Sequence, residues 1–163
     1  ADTDDVGAVH DRLMLLGGQL VTDTVDDILA GRVTPIPQEQ MPTDTPLRPA
    51  PKIFKDTCRI DWNRPAKQVY DFIRGLSPYP AAWTELQQPG QPPVVLKIFE
   101  SEKLPQPHSL PVGTVQTDGK TYLRVAVADG FVGIRSLQLP GKRRLSVEEL
   151  LRGFRLAGPA QVE

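Results

Sequence analysis

Apolar and polar positions along this chain follow two different periods, and the changes between them mark out its elements. Over residues 59–62, Ile60 and Trp62 fall on one side of an extended segment and Arg59 and Asp61 on the other, which is a strand pattern. The period then lengthens: Ala66, Val69, Tyr70 and Ile73 recur at helical steps while Lys67, Asp71 and Arg74 face out. Asn63 is placed to cap this helix, Pro65 to occupy its first turn and Gly75 to supply a left-handed stop. A Ser-Pro-Tyr-Pro turn follows at 77–80.

Beyond that turn, short β-prone runs alternate with turn signals. Residues 82–86, 94–99, 113–117, 121–128 and 131–139 read as strands, with Asp-Gly pairs at 118 and 129 as tight turns. Counting 59–62, this is a meander of about six strands. Ser146 and Glu149 have capping-box spacing, so a short helix is expected over 147–154. So few strands with one inserted helix dispose of their edges best by curling into a small, partly closed barrel.

Ahead of this region the pattern is helical again. Val9, Leu13, Leu16 and Leu20 recur at helical steps, Gly17 and Gly18 interrupt, and Val21, Val25, Ile28 and Leu29 resume until Gly31. Two short amphipathic helices are expected, too small to bury their apolar faces alone. From Pro35 to Pro51, six prolines stand among polar residues, a composition that favours extended, semi-rigid chain. The expected organisation is therefore a helical segment at 1–34, a linker at 35–51 and a β domain at 52–163.

Composition narrows the setting. The 163 residues, 39% hydrophobic, suffice for one domain-sized core. A single cysteine, Cys58, excludes an intramolecular disulfide, and two histidines without Cys/His zinc spacing give no reason to expect a metal. No run is long and apolar enough to cross a bilayer, and the acidic start lacks the features of a signal peptide, so no membrane partner and a cytoplasmic location are expected. The chain opens without a methionine, straight into a helical pattern, as a piece of a longer protein would.

Charge is segregated beneath a net value of −1. Residues 1–49 carry three basic side chains (Arg12, Arg32 and Arg48) against nine acidic ones, whereas residues 50–163 carry sixteen against eleven. A basic second part points to a nucleic-acid partner, because phosphates neutralised by Lys and Arg release counterions. Lys142, Arg143 and Arg144 form the densest basic run, in a loop after a proline, and alternation exposes Arg59. Arg64, Lys67 and Arg74 read as a plain outer helix face, His10 as an exposed helix residue and His108 as a loop residue. Trp62, Tyr70, Phe72 and Trp83 sit beside aliphatic positions and read as core packing rather than as platforms for bases.

Four segments occur in a recognisable order: GGQLVTDTVDDILAGRVTPIPQ at 17–38, PKIFKDTCRIDW at 51–62, IRGLSPYPAAWT at 73–84 and LQLPGKRRLSVEELLRG at 137–153. In these the chain resembles the C-terminal part of the methionyl-tRNA formyltransferase family. The resemblance implies that 1–34 is the helical tail of a formyltransferase domain and that 52–163 is a small open Greek-key barrel resembling oligonucleotide-binding folds. It implies an enzyme of translation initiation that moves a formyl group from 10-formyltetrahydrofolate to the methionine of initiator tRNA. The family's catalytic Asn, His and Asp belong to a Ser-Leu-Leu-Pro-type segment and an Asp-Thr-Gly loop, and neither is present in this sequence.

No catalytic or cofactor-binding residue is therefore expected here, and 10-formyltetrahydrofolate would serve the full-length enzyme. The implied partners are initiator methionyl-tRNA and the N-terminal catalytic domain, in an enzyme that is monomeric when full length. Lys52 and Lys55 stand where the family brings lysines to tRNA; with Arg59, Lys142, Arg143 and Arg144 they make up the expected tRNA-binding set. Relatives that share the barrel leave alternatives: the hydrolase domain of formyltetrahydrofolate dehydrogenase, the sugar-nucleotide formyltransferases, or a free-standing RNA-binding module.

Overall fold

A computed structural model describes residues 1–156 and 158–163, which fall into two compact units. The unit Ala8–Ile53 is dominated by helix α1 (Val6–Leu29) followed by largely extended chain with a single 3-10 turn at Gln38–Gln40. The two helices expected around Gly17 and Gly18 are one helix of 24 residues. Each glycine weakens a helix by only about 1 kcal/mol. Both retain their N–H groups, whereas a break would leave several donors and carbonyls unpaired. At the far end Gly31, with φ +67°, closes the helix as expected: its amide donates to the Ile28 carbonyl and the Arg32 amide to the Asp27 carbonyl. Leu13, Leu16, Leu20, Val21 and Leu29 are exposed along α1.

The second unit comprises Ala1–Gly7 and Phe54–Glu163. Its strands are β1 (Ala82–Gln87), β2 (Val94–Leu104), β3 (Thr114–Thr117), β4 (Leu123–Val127), β5 (Gly130–Gln138), β6 (Leu145–Ser146) and β7 (Ala160–Val162). All pair antiparallel in the order β2, β1, β7, β3, β4, β5, β6, and β2 also pairs with β5, so six strands form a closed ring with β6 added outside it. The mainly β barrel expected from the pattern is present, and its ring is closed. β2 serves both neighbours because it is long and bulged between Ile98 and Ser101, which bends it. Closure depends on β7, three residues far from the other strands in sequence, which lies between β1 and β3.

Alternate residues of each strand fill the barrel. Ala82, Thr84 and Leu86 of β1, Leu96 and Ile98 of β2, Val125 of β4 and Val132 and Ile134 of β5 are buried, and helix α2 (Ala66–Leu76) covers β2, β5 and β1 with Val69, Ile73 and Leu76. Helix α3 (Val147–Gly153) starts at Ser146, with the predicted capping box formed in both directions. It buries Val147, Leu150 and Leu151.

Three local expectations are corrected by tertiary contacts. Residues 59–62 form no strand: Arg59 makes a single parallel bridge to Trp83, and the Ile60 amide donates to the Trp83 carbonyl. Ile60 and Trp62 still point inward, but β1 already pairs with β2 along one edge and with β7 on the other, so no ladder can extend. Asn63 does not cap α2. The Ala66 amide instead donates to Asp129 Oδ1 at 2.6 Å, a cap delivered from the β4–β5 turn 63 residues away. Gly75 lies inside α2 rather than ending it, and the helix stops at Ser77, where Pro78 has no amide to continue the ladder.

Candidate nucleic-acid interface

Phe54 and Thr57 hydrogen-bond to one another and shape a turn into the 3-10 segment Asp56–Cys58, which leaves Lys55 exposed at its start. The Trp83 indole N–H donates to the Lys55 carbonyl at 2.8 Å, fixing ring and turn together. Lys55 Nζ lies 5.7 Å and Arg59 Cζ 5.4 Å from the centre of that ring. Two of the expected cations thus gather on one aromatic side chain of β1, held there by attraction to the ring face. Glu85 faces Arg59 at 3.7 Å and offsets part of its charge. Lys52 is exposed within the extended chain of the other unit.

The basic run at 142–144 is organised differently from its appearance in the sequence. Arg143 pairs with Glu149 at 3.0 Å. Arg144 pairs with Glu100, donates to Ser136 Oγ at 2.7 Å and lies 4.6 Å above the Phe99 ring. The Ser146 amide and the Arg143 guanidinium hold the Glu149 carboxyl below its ordinary range. Arg144 thus ties the loop to the barrel, and Arg143 ties it to α3. Lys142 has no carboxylate partner among the described residues, so most of the run's uncompensated charge sits there.

Arg64, Lys67 and Arg74 pair with Asp61, Asp71 and Asp71 respectively, as a solvated helix face does. Trp62 is buried, with its indole donating to Thr84 Oγ1. Phe72 and Trp83 pack against the core from partly exposed positions. Tyr70 is outside the core, with Lys103 Nζ 4.7 Å and Arg74 Cζ 5.7 Å from its ring. His108 lies in a loop but works as a clasp: its Nε2 is 2.9 Å from the Val127 carbonyl and 2.8 Å from that of Gly130, while Nδ1 accepts from the Leu110 amide.

One cation was not singled out by the sequence. Arg124 projects outward from β4 and donates through Nε to Gln116 Oε1 and through Nη1 to Gln106 Oε1, with Phe131 4.1 Å beneath its guanidinium. Both hydrogen-bond partners are neutral, so its charge is fixed in place without being cancelled. Alternation along β4 predicts that Arg124 faces out, but the two glutamines and the aromatic floor come from other strands and loops. Among the described residues no group of three His, Cys, Asp or Glu converges to hold a metal ion, and no helix is long and apolar enough to cross a membrane.

A closed six-stranded antiparallel barrel covered by a helix is a fold resembling the oligonucleotide-binding barrels. Residues 52–155 match the family described as "Formyl transferase, C-terminal domain", and the chain belongs to that family. Three curated relatives are each named methionyl-tRNA formyltransferase. The protein of Bacteroides thetaiotaomicron is 68% identical over 96% of this chain and 49% of its own length. That of Phocaeicola vulgatus is 58% identical over 100% and 51%, and that of Porphyromonas gingivalis 42% over 96% and 49%. The chain spans about half the length of these relatives.

Proposed function

We propose that this chain is the tRNA-holding part of a methionyl-tRNA formyltransferase, with chemistry supplied by a separate catalytic domain of the same polypeptide. In this reading residues 1–34 are the tail of that domain, and the exposed leucine face of α1 packs against it. Residues 35–51 are the linker and 52–163 the barrel. The full-length enzyme acts as a cytoplasmic monomer, transferring the formyl group of 10-formyltetrahydrofolate to initiator methionyl-tRNA.

The observation that carries the reading is the seating of Lys55 and Arg59 on Trp83 at the barrel surface, shortly after Lys52 in the chain. Such cations contact phosphates without reading bases, and Lys142 adds a further charge. Arg143 and Arg144 contribute mainly by shaping the loop, so the basic run does not itself separate a tRNA enzyme from the folate hydrolases. The names of the relatives favour the tRNA enzyme. Holding the tRNA places its aminoacyl end at the active site and removes orientational freedom before the chemical step.

Lys52→Ala combined with Lys55→Ala in the full-length enzyme should lower kcat/KM for charged initiator tRNA about tenfold. It should leave KM for the folate unchanged and reduce the slope of log affinity against log salt by roughly two. Kinetics and salt slope equal to those of the parent would remove the assignment.

A further inference from the structure

A second surface feature lies on the outer side of β2, β4 and β5, on elements other than those carrying Lys55 and Arg59. Across these strands Arg124, Gly133 and Glu102 stand in register. Gly133 has no positive φ that would demand glycine; a Cβ there would meet Glu102 Cγ at 2.8 Å and Leu104 Cδ1 at 3.2 Å. The Glu102 and Leu104 side chains occupy the space that a side chain at 133 would need, and the groove they line with Arg124 has a volume of about 510 Å³. That falls within the ~300–1,000 Å³ of small-ligand sites.

The groove has three kinds of chemistry. Arg124 presents a charge fixed by Gln116 and Gln106 and supported by Phe131, with no carboxylate paired to it among the described residues. Tyr122, two residues earlier on the same face, is 41% exposed, and Arg124 Cζ is 5.6 Å from its ring. Glu148 borders the groove as an acceptor, and Arg135, already paired with Glu102, closes the side. An anion alone would use Arg124 and leave an aromatic face and a carboxylate idle. A nucleotide uses all three, with a phosphate for the guanidinium, a base for the ring, and an exocyclic amine or ribose hydroxyl for the carboxylate.

We infer that this groove holds one unpaired ribonucleotide, its phosphate on Arg124 and its base against Tyr122. The nucleotide belongs either to a single-stranded stretch of an RNA or to the free pool, and the chemistry of capture is the same. The inference does not depend on the phosphate contacts assigned to Lys52 and Lys55, neither of which lines this groove.

The test uses the present chain with three probes: a fluorescently labelled hexa-adenylate RNA, a duplex RNA of the same length, and adenosine monophosphate followed by NMR. Tyr122→Ala and Arg124→Gln should each weaken hexa-adenylate binding about tenfold, while Tyr122→Phe, which keeps the ring, should retain parental affinity. Duplex binding should change little on Tyr122→Ala. Adenosine monophosphate that binds and shows the same losses identifies the free pool as the source; no binding of it, with the losses seen on the oligomer, identifies RNA. Thermal unfolding of each variant separates binding from folding. The inference is overturned if both substitutions leave hexa-adenylate affinity unchanged in folded protein, or if single strand and duplex lose affinity equally on Tyr122→Ala. Failure of the Lys52 and Lys55 kinetics with these losses intact would reject the tRNA assignment alone.

Discussion

Replacing Gly113 by alanine tests whether the three residues of β7 hold the ring closed. Gly113 has φ +84°, donates to the Ala126 carbonyl and accepts from the Val162 amide, both at 2.9 Å. A Cβ at this position would sit 2.5 Å from the Val162 carbonyl oxygen, a backbone atom that cannot rotate away. The left-handed conformation costs an L-residue about 1–2 kcal/mol. Moving β7 away strains hydrogen bonds contributing about 0.5–1.5 kcal/mol each, while the stiffer unfolded chain returns ~0.4–1 kcal/mol. The net expectation is a loss of about 2–3 kcal/mol, or on the order of 10 °C in Tm for a domain of this size.

Urea and thermal unfolding followed by tryptophan fluorescence will report it. Trp62 donates to Thr84, whose hydroxyl donates to the Glu163 carbonyl beside β7, so this fluorophore senses the seam directly. A change below about 0.5 kcal/mol would refute both the close approach and the role of β7 as a closing strand. Gly75→Ala is the matched control. Gly75 is helical and a methyl group there would meet nothing within 4 Å, so alanine should stabilise by about 0.5–1 kcal/mol. If Gly75 were instead the left-handed stop its position in the sequence suggests, that substitution would destabilise.

Asp129→Ala removes the distant cap of α2 and should cost about 1 kcal/mol in urea unfolding, with Asp129→Asn retaining most of the stability; equal losses for the two would contradict a capping role. The Asp118 carboxylate accepts from the Thr121 hydroxyl and from the amides of Thr121, Lys120 and Tyr122, which hold its carboxyl well below the usual range near 3.9. Because the folded pKa is the depressed one, its contribution is full above the unfolded pKa and fades as pH falls from about 5 toward the folded value. Asp118→Asn should therefore flatten the fall in stability over that acid range, and an unchanged profile from pH 5 to pH 2 would count against the loop geometry.

Strong local patterns were legible. The β-prone runs at 82–86 and 131–139 located β1 and β5 within a residue or two, the Ser146 and Glu149 spacing gave a real capping box, and Gly31 ended α1. Where the readings failed, each local signal had a tertiary competitor. Asn63 lost the cap to Asp129, and 59–62 lost its ladder because the edges of β1 were taken. β7 carries no alternation long enough to notice, yet it closes the barrel. The cations divided in the same way: Arg59 is exposed as alternation predicts, but a sequence cannot show that Arg143 and Arg144 face Glu149 and Glu100, or that Arg124 is held by two glutamines over an aromatic ring.

By itself, then, the sequence determined which residues turn inward and which family the four ordered segments resemble, because burial periodicity and backbone preference act over a few neighbouring residues. The tertiary structure alone decided the closure of the ring, the distant helix cap and which positive charges remain uncancelled. Those outcomes depend on groups tens of residues apart meeting within a few ångströms, and no local preference encodes such a meeting.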